Sequence, residues 1–468
     1  MNGVVFMQKK AFLALLLVLC LALSGCTLIQ KDAAVDAATV IIQLGDQTVT
    51  KAQVQSEIDY QLNYMAYYYS MFGYSYDPTS AENIASARDT VIQNFKEDLV
   101  IHAKIAEMGL DQLTEEEEAQ VKSDAEADYQ RNLEYIISSN YADSELSEEE
   151  IKTKAAEDLT AMDYTMDTAL ENARNNLTDT KLRNDVIKDV AVTEDEVKAD
   201  YDSKVEEAKA DYEEDLSSYC TAFNNGTTVY YTPAGVRYVK QILLQYSEEH
   251  RTAISDANAQ VTAAQSRVTA AQTMIDDAQK ILDDEDATEE EKTAAQTDLD
   301  TATAELTAAQ ADLETAQAAV TAATDAAYAS IDEEADAVLA QLKDGTAEWD
   351  ALMAEKTQDP GMQEGRATAV TGYAVCEGMT GFDSAFVEAA MALENIGDIS
   401  DKTRGSSNGY YIIRYESDST ADAANYDTVR EGIESELLSN KQDATYDEAL
   451  ASWVDAADFK LNLSALDN

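Results

Sequence analysis

Residues able to act as nucleophiles, general bases or metal ligands are scarce in this chain. Two histidines, His102 and His250, and four cysteines, Cys20, Cys26, Cys220 and Cys376, stand among 468 residues. Two histidines cannot build a His-based metal site, and CxxC and HExxH are both missing. No metal and no cofactor is therefore expected. His102 follows Leu99-Val100-Ile101 and is read as a helix-packing residue.

Cys26 is the exception. Lys9 and Lys10 precede an uncharged run from Ala11 to Ser24, rich in Leu, Ala and Val. That is a signal-peptide core, short of the roughly 20 residues that span a bilayer. It ends in Leu23-Ser24-Gly25-Cys26, with small residues directly before the Cys, as in a bacterial lipobox. The Cys sulfur would take a diacylglycerol, and cleavage would leave Cys26 as the first mature residue. Residues 1–25 are then a signal peptide and 26–39 a tether. The mature chain is expected on the outer face of the cell membrane, since two or more acyl chains hold a protein where one is marginal. Cys20 leaves with the signal. A disulfide between Cys220 and Cys376 is chemically permitted outside the membrane, but two distant cysteines leave the pairing open.

Asp and Glu number 91 against 33 Lys and Arg, a net charge of −58. Such a chain is repelled by nucleic acid and by anionic lipid headgroups, so no nucleic-acid partner is expected. Cationic clients or metal-rich wall polymers fit better. With 3 Pro and 17 Gly the chain favours long helices and few tight turns. An apolar content of 45% is ordinary for a folded protein. The length suggests two or three domains.

The elements follow from periodicity. Val40 to Leu44, a Gly45-Asp46 turn and Thr48-Val49-Thr50 predict a hairpin leading into a helix capped near Thr50. That helix carries Val54, Ile58, Leu62 and Met65, runs through the tyrosine-rich stretch Tyr60 to Tyr76, and is expected to stop at Asp77-Pro78. The tyrosines and methionines offer adaptable apolar contact with polar tips, a candidate client surface. Core packing beneath a returning carboxy-terminal helix is the alternative. Thr114 to Glu117, Thr193 to Glu196 and Thr288 to Glu291 read as capping boxes. Val236 to Leu244 has the composition of a central strand. From about 254 to 323 there is no Gly, Pro or aromatic residue. Val261, Val268, Met274 and Ile281 are placed on one side of a first helix; Leu299, Leu306, Leu313 and Val320 recur every seven residues on a second. A polar break at 283–287 makes the pair an antiparallel hairpin, its second helix continuing to Gly345.

Between 236 and 414 six segments stand in order: Val236-Arg237-Tyr238-Val239-Lys240-Gln241-Ile242-Leu243; Gly345, Trp349 and Leu352; Thr357-Gln358-Asp359; Met379 to Phe386; Ala390 to Leu393 through Gly397-Asp398-Ile399-Ser400; and Gly409-Tyr410-Tyr411-Ile412-Ile413-Arg414. Their order and spacing resemble the parvulin-type foldases, the extracytoplasmic foldase lipoproteins of Gram-positive bacteria and the related periplasmic chaperones of Gram-negative bacteria. The resemblance implies a mostly helical α+β chain. A helical chaperone domain over 40–228 would be completed by the returning segment 419–468. A parvulin-like domain would span 229–418, carrying the coiled-coil insertion at 250–330.

The resemblance also implies prolyl cis/trans isomerisation of unfolded or extended secreted polypeptides. The barrier, roughly 18–20 kcal/mol, is amide resonance, so a catalyst needs an apolar slot and a dry, preorganised polar surround. The slot positions here are Thr371, Phe382 and Phe386; the surround positions are Gln241, Tyr411 and Asp359. Both family histidines are thus replaced. Gln and Tyr still hydrogen-bond, but neither changes charge near neutral pH as His does. Weak or absent isomerisation is the expectation. A non-catalytic holdase, or an adaptor lipoprotein working through its coiled coil, are the alternatives, and dimerisation stays open. The repeated βα pattern of a solute-binding lipoprotein is lacking, which disfavours that reading.

Overall fold

The computed structural model describes residues 33–142, 144–406 and 409–467. The signal peptide read over 1–25 and the lipidation site Cys26 lie outside the described residues. The strands, in chain order, are β1 (Val40–Leu44), β2 (Gln47–Thr50), β3 (Tyr231–Thr232), β4 (Arg237–Gln245), β5 (Tyr373–Val375), β6 (Thr403–Arg404), β7 (Gly409–Asp418), β8 (Asp422–Ala423) and β9 (Lys460–Leu461). The α-helices are α1 (Ala33–Ala37), α2 (Lys51–Met71), α3 (Ala81–Glu107), α4 (Glu115–Asn140), α5 (Glu148–Ala161), α6 (Met166–Ile187), α7 (Glu194–Glu214), α8 (Leu216–Asn224), α9 (Glu248–Asp283), α10 (Glu289–Ala329), α11 (Asp332–Lys343), α12 (Trp349–Lys356), α13 (Ala367–Thr371), α14 (Ser384–Ala392) and α15 (Tyr426–Ala456). Helices dominate and the small sheets are antiparallel, so the chain is α+β. Among the described residues no helix is long and apolar enough to cross a membrane.

The described residues divide into two compact units, one running up to Val192 and taken up again from Ser435, the other Thr193–Glu434. The first boundary falls short of the 228 read from the sequence, and the second falls beyond 418. The cause is packing: Tyr219 and Cys220 of α8 are buried with Val239, Ala374 and Val375, and β8 pairs with β3.

In the first unit β1 lies between β2 and β9. Ile41, Ile42 and Val49 of the hairpin pack on Val54, Ile58 and Leu62 of α2 and on Val91 and Leu99 of α3. Arg88 ties the chain end down, donating to the Leu463 carbonyl at 2.8 Å and pairing with Asp467 at 2.5 Å. Of the segment read as a tether, the described part from 33 on carries α1, whose Asp36 pairs with the buried Lys51 at 2.8 Å. One expectation is corrected. The helix through the tyrosines ends at Met71 rather than at Asp77-Pro78, because Gly73 adopts a φ of 74° that turns the backbone out of the helix.

In the second unit the main sheet has the order β5-β4-β7-β6. One face is covered by α8 and α14, the other by α11 and α12. Arg237 stands at the start of β4. Its guanidinium donates to the carbonyls of Ala390, Met391 and Leu393 (3.2, 2.8 and 2.7 Å), closing the end of α14, and lies 4.6 Å from the Tyr415 ring centroid.

α9 and α10, joined by a short polar link, form the inserted hairpin; the 36 residues of α9 give it a length of about 54 Å. Thr288 and Glu291 make the capping box at the start of α10. Along the paired length the buried positions are alanines seven apart, Ala257, Ala264, Ala271 and Ala278 on α9 and Ala295, Ala302, Ala309 and Ala316 on α10. The seam reading of the first helix is corrected in register. Met274 and Ile281 are exposed, and Ile275 and Leu282 are half-buried. A strict seven-residue step from Val261 and Val268 lands on 275 and 282, whereas 274 and 281 lie one residue, about 100°, off the seam. The second helix also breaks before Gly345. Tyr328 and Ile331 turn into a buried cluster with Tyr246, and the Ser330 hydroxyl bonds to the Ala327 carbonyl at 2.6 Å.

Candidate functional site

β4 and β7 run antiparallel, with Gln241 opposite Ile413 and Leu243 opposite Tyr411. Side chains alternate along a strand. Val239, Gln241 and Leu243 therefore share a face with Tyr411 and Ile413, the face on which Phe386 of α14 packs. Ile242 and Leu244 point the other way, onto Trp349, Leu352 and Met362.

β5 covers the edge of β4 only from Arg237 to Val239. Thr357-Gln358-Asp359 takes over further along. The Leu243 amide donates to Thr357 Oγ1 (3.2 Å), the Gln358 amide to the Leu243 carbonyl (2.8 Å), and the Gln245 amide to Gln358 Oε1 (2.5 Å). This fixes the buried Asp359 beside Gln241. Asp359 Oδ2 accepts from Gln241 Nε2 at 2.6 Å; Oδ1 accepts from the Gly361 amide at 2.9 Å and from the Tyr373 hydroxyl at 3.1 Å. Burial, then the Asp359 charge, holds the Tyr373 phenol well above its ordinary pKa, so it stays a donor. Gly361 is required here: a Cβ on it would lie 1.8 Å from the Tyr373 hydroxyl. The other amide atom, Gln241 Oε1, is buried without a hydrogen-bond partner.

The rings continue from Tyr373. Its edge meets Phe382 at 5.1 Å between centroids, Phe382 stacks on Phe386 at 5.5 Å, and Phe386 meets Tyr411 edge-on at 5.6 Å. Phe386 is 1% exposed and Tyr411 is buried, whereas Phe382 and Tyr373 are half-buried. Thr371 is exposed at the end of α13, its hydroxyl turned to the Ala367 carbonyl at 3.1 Å. The Tyr411 hydroxyl donates to Asp383 Oδ2 over a long 3.4 Å. The same oxygen accepts from the Ser406 amide (2.6 Å) and hydroxyl (2.9 Å), while Oδ1 caps α14 through the Ala385 amide (3.0 Å).

The structure thus joins Gln241 to Asp359, and Phe382 to Phe386 and Tyr411, and leaves Thr371 aside. Sequence reasoning passed over Tyr373, which links the polar pair to the rings, and Asp383, which holds Tyr411. Asp383 carried a usable signal, an acid directly before the helical Ser384-Ala385-Phe386. His102 is exposed on α3, not packed as expected, because it points away from the face carrying Leu99 and Val100. Among the described residues no group of three or more His, Cys, Asp or Glu could hold a metal ion.

Asp383 makes the site acid-sensitive. Burial raises its pKa, but the bonds from Ser406, Ala385 and Tyr411 outweigh it, and the net pKa is lowered. A pKa lower in the folded than in the unfolded chain stabilises fully above the unfolded value, about 4. That contribution is lost as pH falls through the folded value. The fluorescence of Tyr411, whose hydroxyl Asp383 accepts, is expected to change below about pH 4, and Asp383→Asn should abolish that pH dependence.

No family model matches the chain, and no curated protein matches it. Solved structures with some likeness are chaperones and isomerases. One comes from work on the SurA-like chaperones PEB4 and Cj1289 of Campylobacter jejuni, 15% identical over 68% of this chain and 88% of its own, with a TM-score of 0.25. The foldase protein PrsA of Streptococcus pneumoniae is 12% identical over 92% and 98%, TM-score 0.22. The peptidylprolyl isomerase PrsA of Bacillus cereus is 14% identical over 92% and 96%, TM-score 0.17.

Proposed function

We propose that this chain is a membrane-tethered chaperone for secreted polypeptides, lipid-anchored at Cys26, whose parvulin-like domain binds extended or proline-containing segments and isomerises them weakly or not at all. The observation that carries this reading is the state of the two replaced positions. Gln241 spends its amide donor on Asp359, leaving a buried acceptor. The Tyr411 hydroxyl is directed at Asp383. A prolyl nitrogen has no N–H to offer that acceptor, and a twisting amide needs donors rather than acceptors around it. Phe382 and Tyr373 keep an apolar surface for a peptide. The exposed aromatic stretch of α2 is a second surface suited to unfolded clients.

Prolyl exchange in X-Pro peptides tests this with the full mature chain. Uncatalysed exchange takes tens to hundreds of seconds. The wild type is expected to speed it less than about tenfold, while suppressing aggregation of an unfolded substrate. Gln241→His with Tyr411→His is expected to raise the exchange rate. Strong acceleration by the wild type would sink the weak-isomerase reading, and absent aggregation suppression would sink the chaperone.

Anchoring has its own test. Cys26→Ser is expected to move the protein from the membrane to the soluble fraction, and retention at the membrane would remove the lipid anchor from the reading.

A further inference from the structure

Cys220 and Cys376 are distant in sequence but meet in the second unit. Both belong to one buried cluster, 0% and 2% exposed, and both are free thiols. Each thiol lies close enough to act on the pKa of the other. A second rung fixes the same two segments. Asn224, one turn after Cys220 on α8, donates its Nδ2 to the Ala374 carbonyl and accepts the Ala374 amide, both at 2.8 Å. Ala374 belongs to β5, the edge strand of the main sheet, and Cys376 follows that strand directly. Edge strands expose unpaired backbone groups that invite other chains, and α8 is the element that covers this one.

We propose that Cys220 and Cys376 are a disulfide site, closed in the exported protein to staple α8 over the β5 edge. The chemistry is exchange with an external disulfide. One protein thiolate attacks that disulfide and displaces a thiol, giving a mixed disulfide. The second protein sulfur then attacks the first, forms the Cys220–Cys376 bond and releases the other thiol. The two electrons and two protons leave with the external pair, so the oxidant is any small or protein disulfide of the compartment. Timing follows from burial. Burial first, and for Cys220 the neighbouring Cys376, push both thiols above their ordinary pKa. The folded, covered thiols are slow nucleophiles, so closure belongs to folding or to moments when α8 lifts. The closed loop then contains β4 and the whole hairpin. This inference does not rest on the isomerase or chaperone reading.

The test is to unfold the full chain, refold it in a buffer of reduced and oxidised glutathione, and alkylate it. The expected result is a non-reducing peptide map with one linked pair containing Cys220 and Cys376, about 2 Da lighter than the two separate peptides. Reduction of that product is expected to speed proteolysis in the 225–230 segment about tenfold or more, and Cys376→Ser to abolish this reduction-dependent difference. Recovery of both cysteines alkylated, or joined to glutathione or to another chain, would overturn the proposal. So would a linked pair whose reduction leaves proteolysis unchanged, since the bond would then staple nothing.

Discussion

Phe386→Ala is expected to destabilise the second unit by about 3–5 kcal/mol, the usual cost of emptying a buried phenylalanine site. The side chain is 1% exposed and is enclosed by Phe382, Tyr411 and Tyr373. Met379, Val387 and Ala390 belong to the same buried cluster. Its neighbours are held by other contacts and cannot all collapse into the gap. Tyr411 is tied to β7, and Tyr373 to Asp359. The two tryptophans make the measurement direct, since Trp349 lies in the second unit and Trp453 in the first. Urea unfolding followed by Trp349 in a Trp453→Phe background should show the loss. A cost below about 1 kcal/mol would mean that Phe386 lines a solvent-filled slot. The consequence for function is practical. Loss of peptide binding in Phe386→Ala would report unfolding, whereas Phe382→Ala, at a half-buried ring, interrogates the surface a peptide could reach.

What the sequence made legible divides along a physical line. Local chemistry was readable: Thr114, Thr193 and Thr288 each receive the amide three residues on and have their own amide bonded by the glutamate there. The apolar density of Val236 to Leu244 marked a central strand because both its faces are buried. Register was less readable. Met274 and Ile281 are as apolar as Ile275 and Leu282, and only the step of seven, fixed by the facing alanines, separates them. Long-range polar partners were least readable. Nothing local ties Tyr373 to Asp359, since the bond depends on Gly361 leaving room for the hydroxyl. The break at Ser330 was hidden for the same reason, because it is forced by Tyr328 packing on Tyr246 and Tyr410.

The tyrosine-rich end of α2 carries the other large expected effect. Only Lys51, Val54, Ile58 and Leu62, none of them past the helix's twelfth residue, are buried. Beyond them Tyr67, Phe72 and Tyr74 are 65%, 61% and 69% exposed. Core packing, the alternative for the run, describes Tyr76, which packs on the hairpin cluster, but not these three rings. Rings of the run pack on one another: Tyr60 on Tyr64, Tyr64 on Tyr68, and Tyr68 on Phe72, at 6.2, 6.4 and 5.1 Å between centroids. Residues 60–76 contain no charged side chain, although 26% of the chain is charged. An exposed aromatic surface of this kind marks a binding site, and here the proposed occupant is the apolar segment of an unfolded client. Substituting Tyr67, Tyr68, Phe72 and Tyr74 together by serine is expected to weaken aggregation suppression about tenfold, equivalent to roughly 1.4 kcal/mol of binding. The stability of the first unit, read through Trp453, should change by less than about 1 kcal/mol, because exposed positions contribute little to folding. Unchanged suppression in a folded quadruple variant would remove the patch from client binding. Unfolding of the first unit would instead show that the ring ladder is structural, which its exposure argues against.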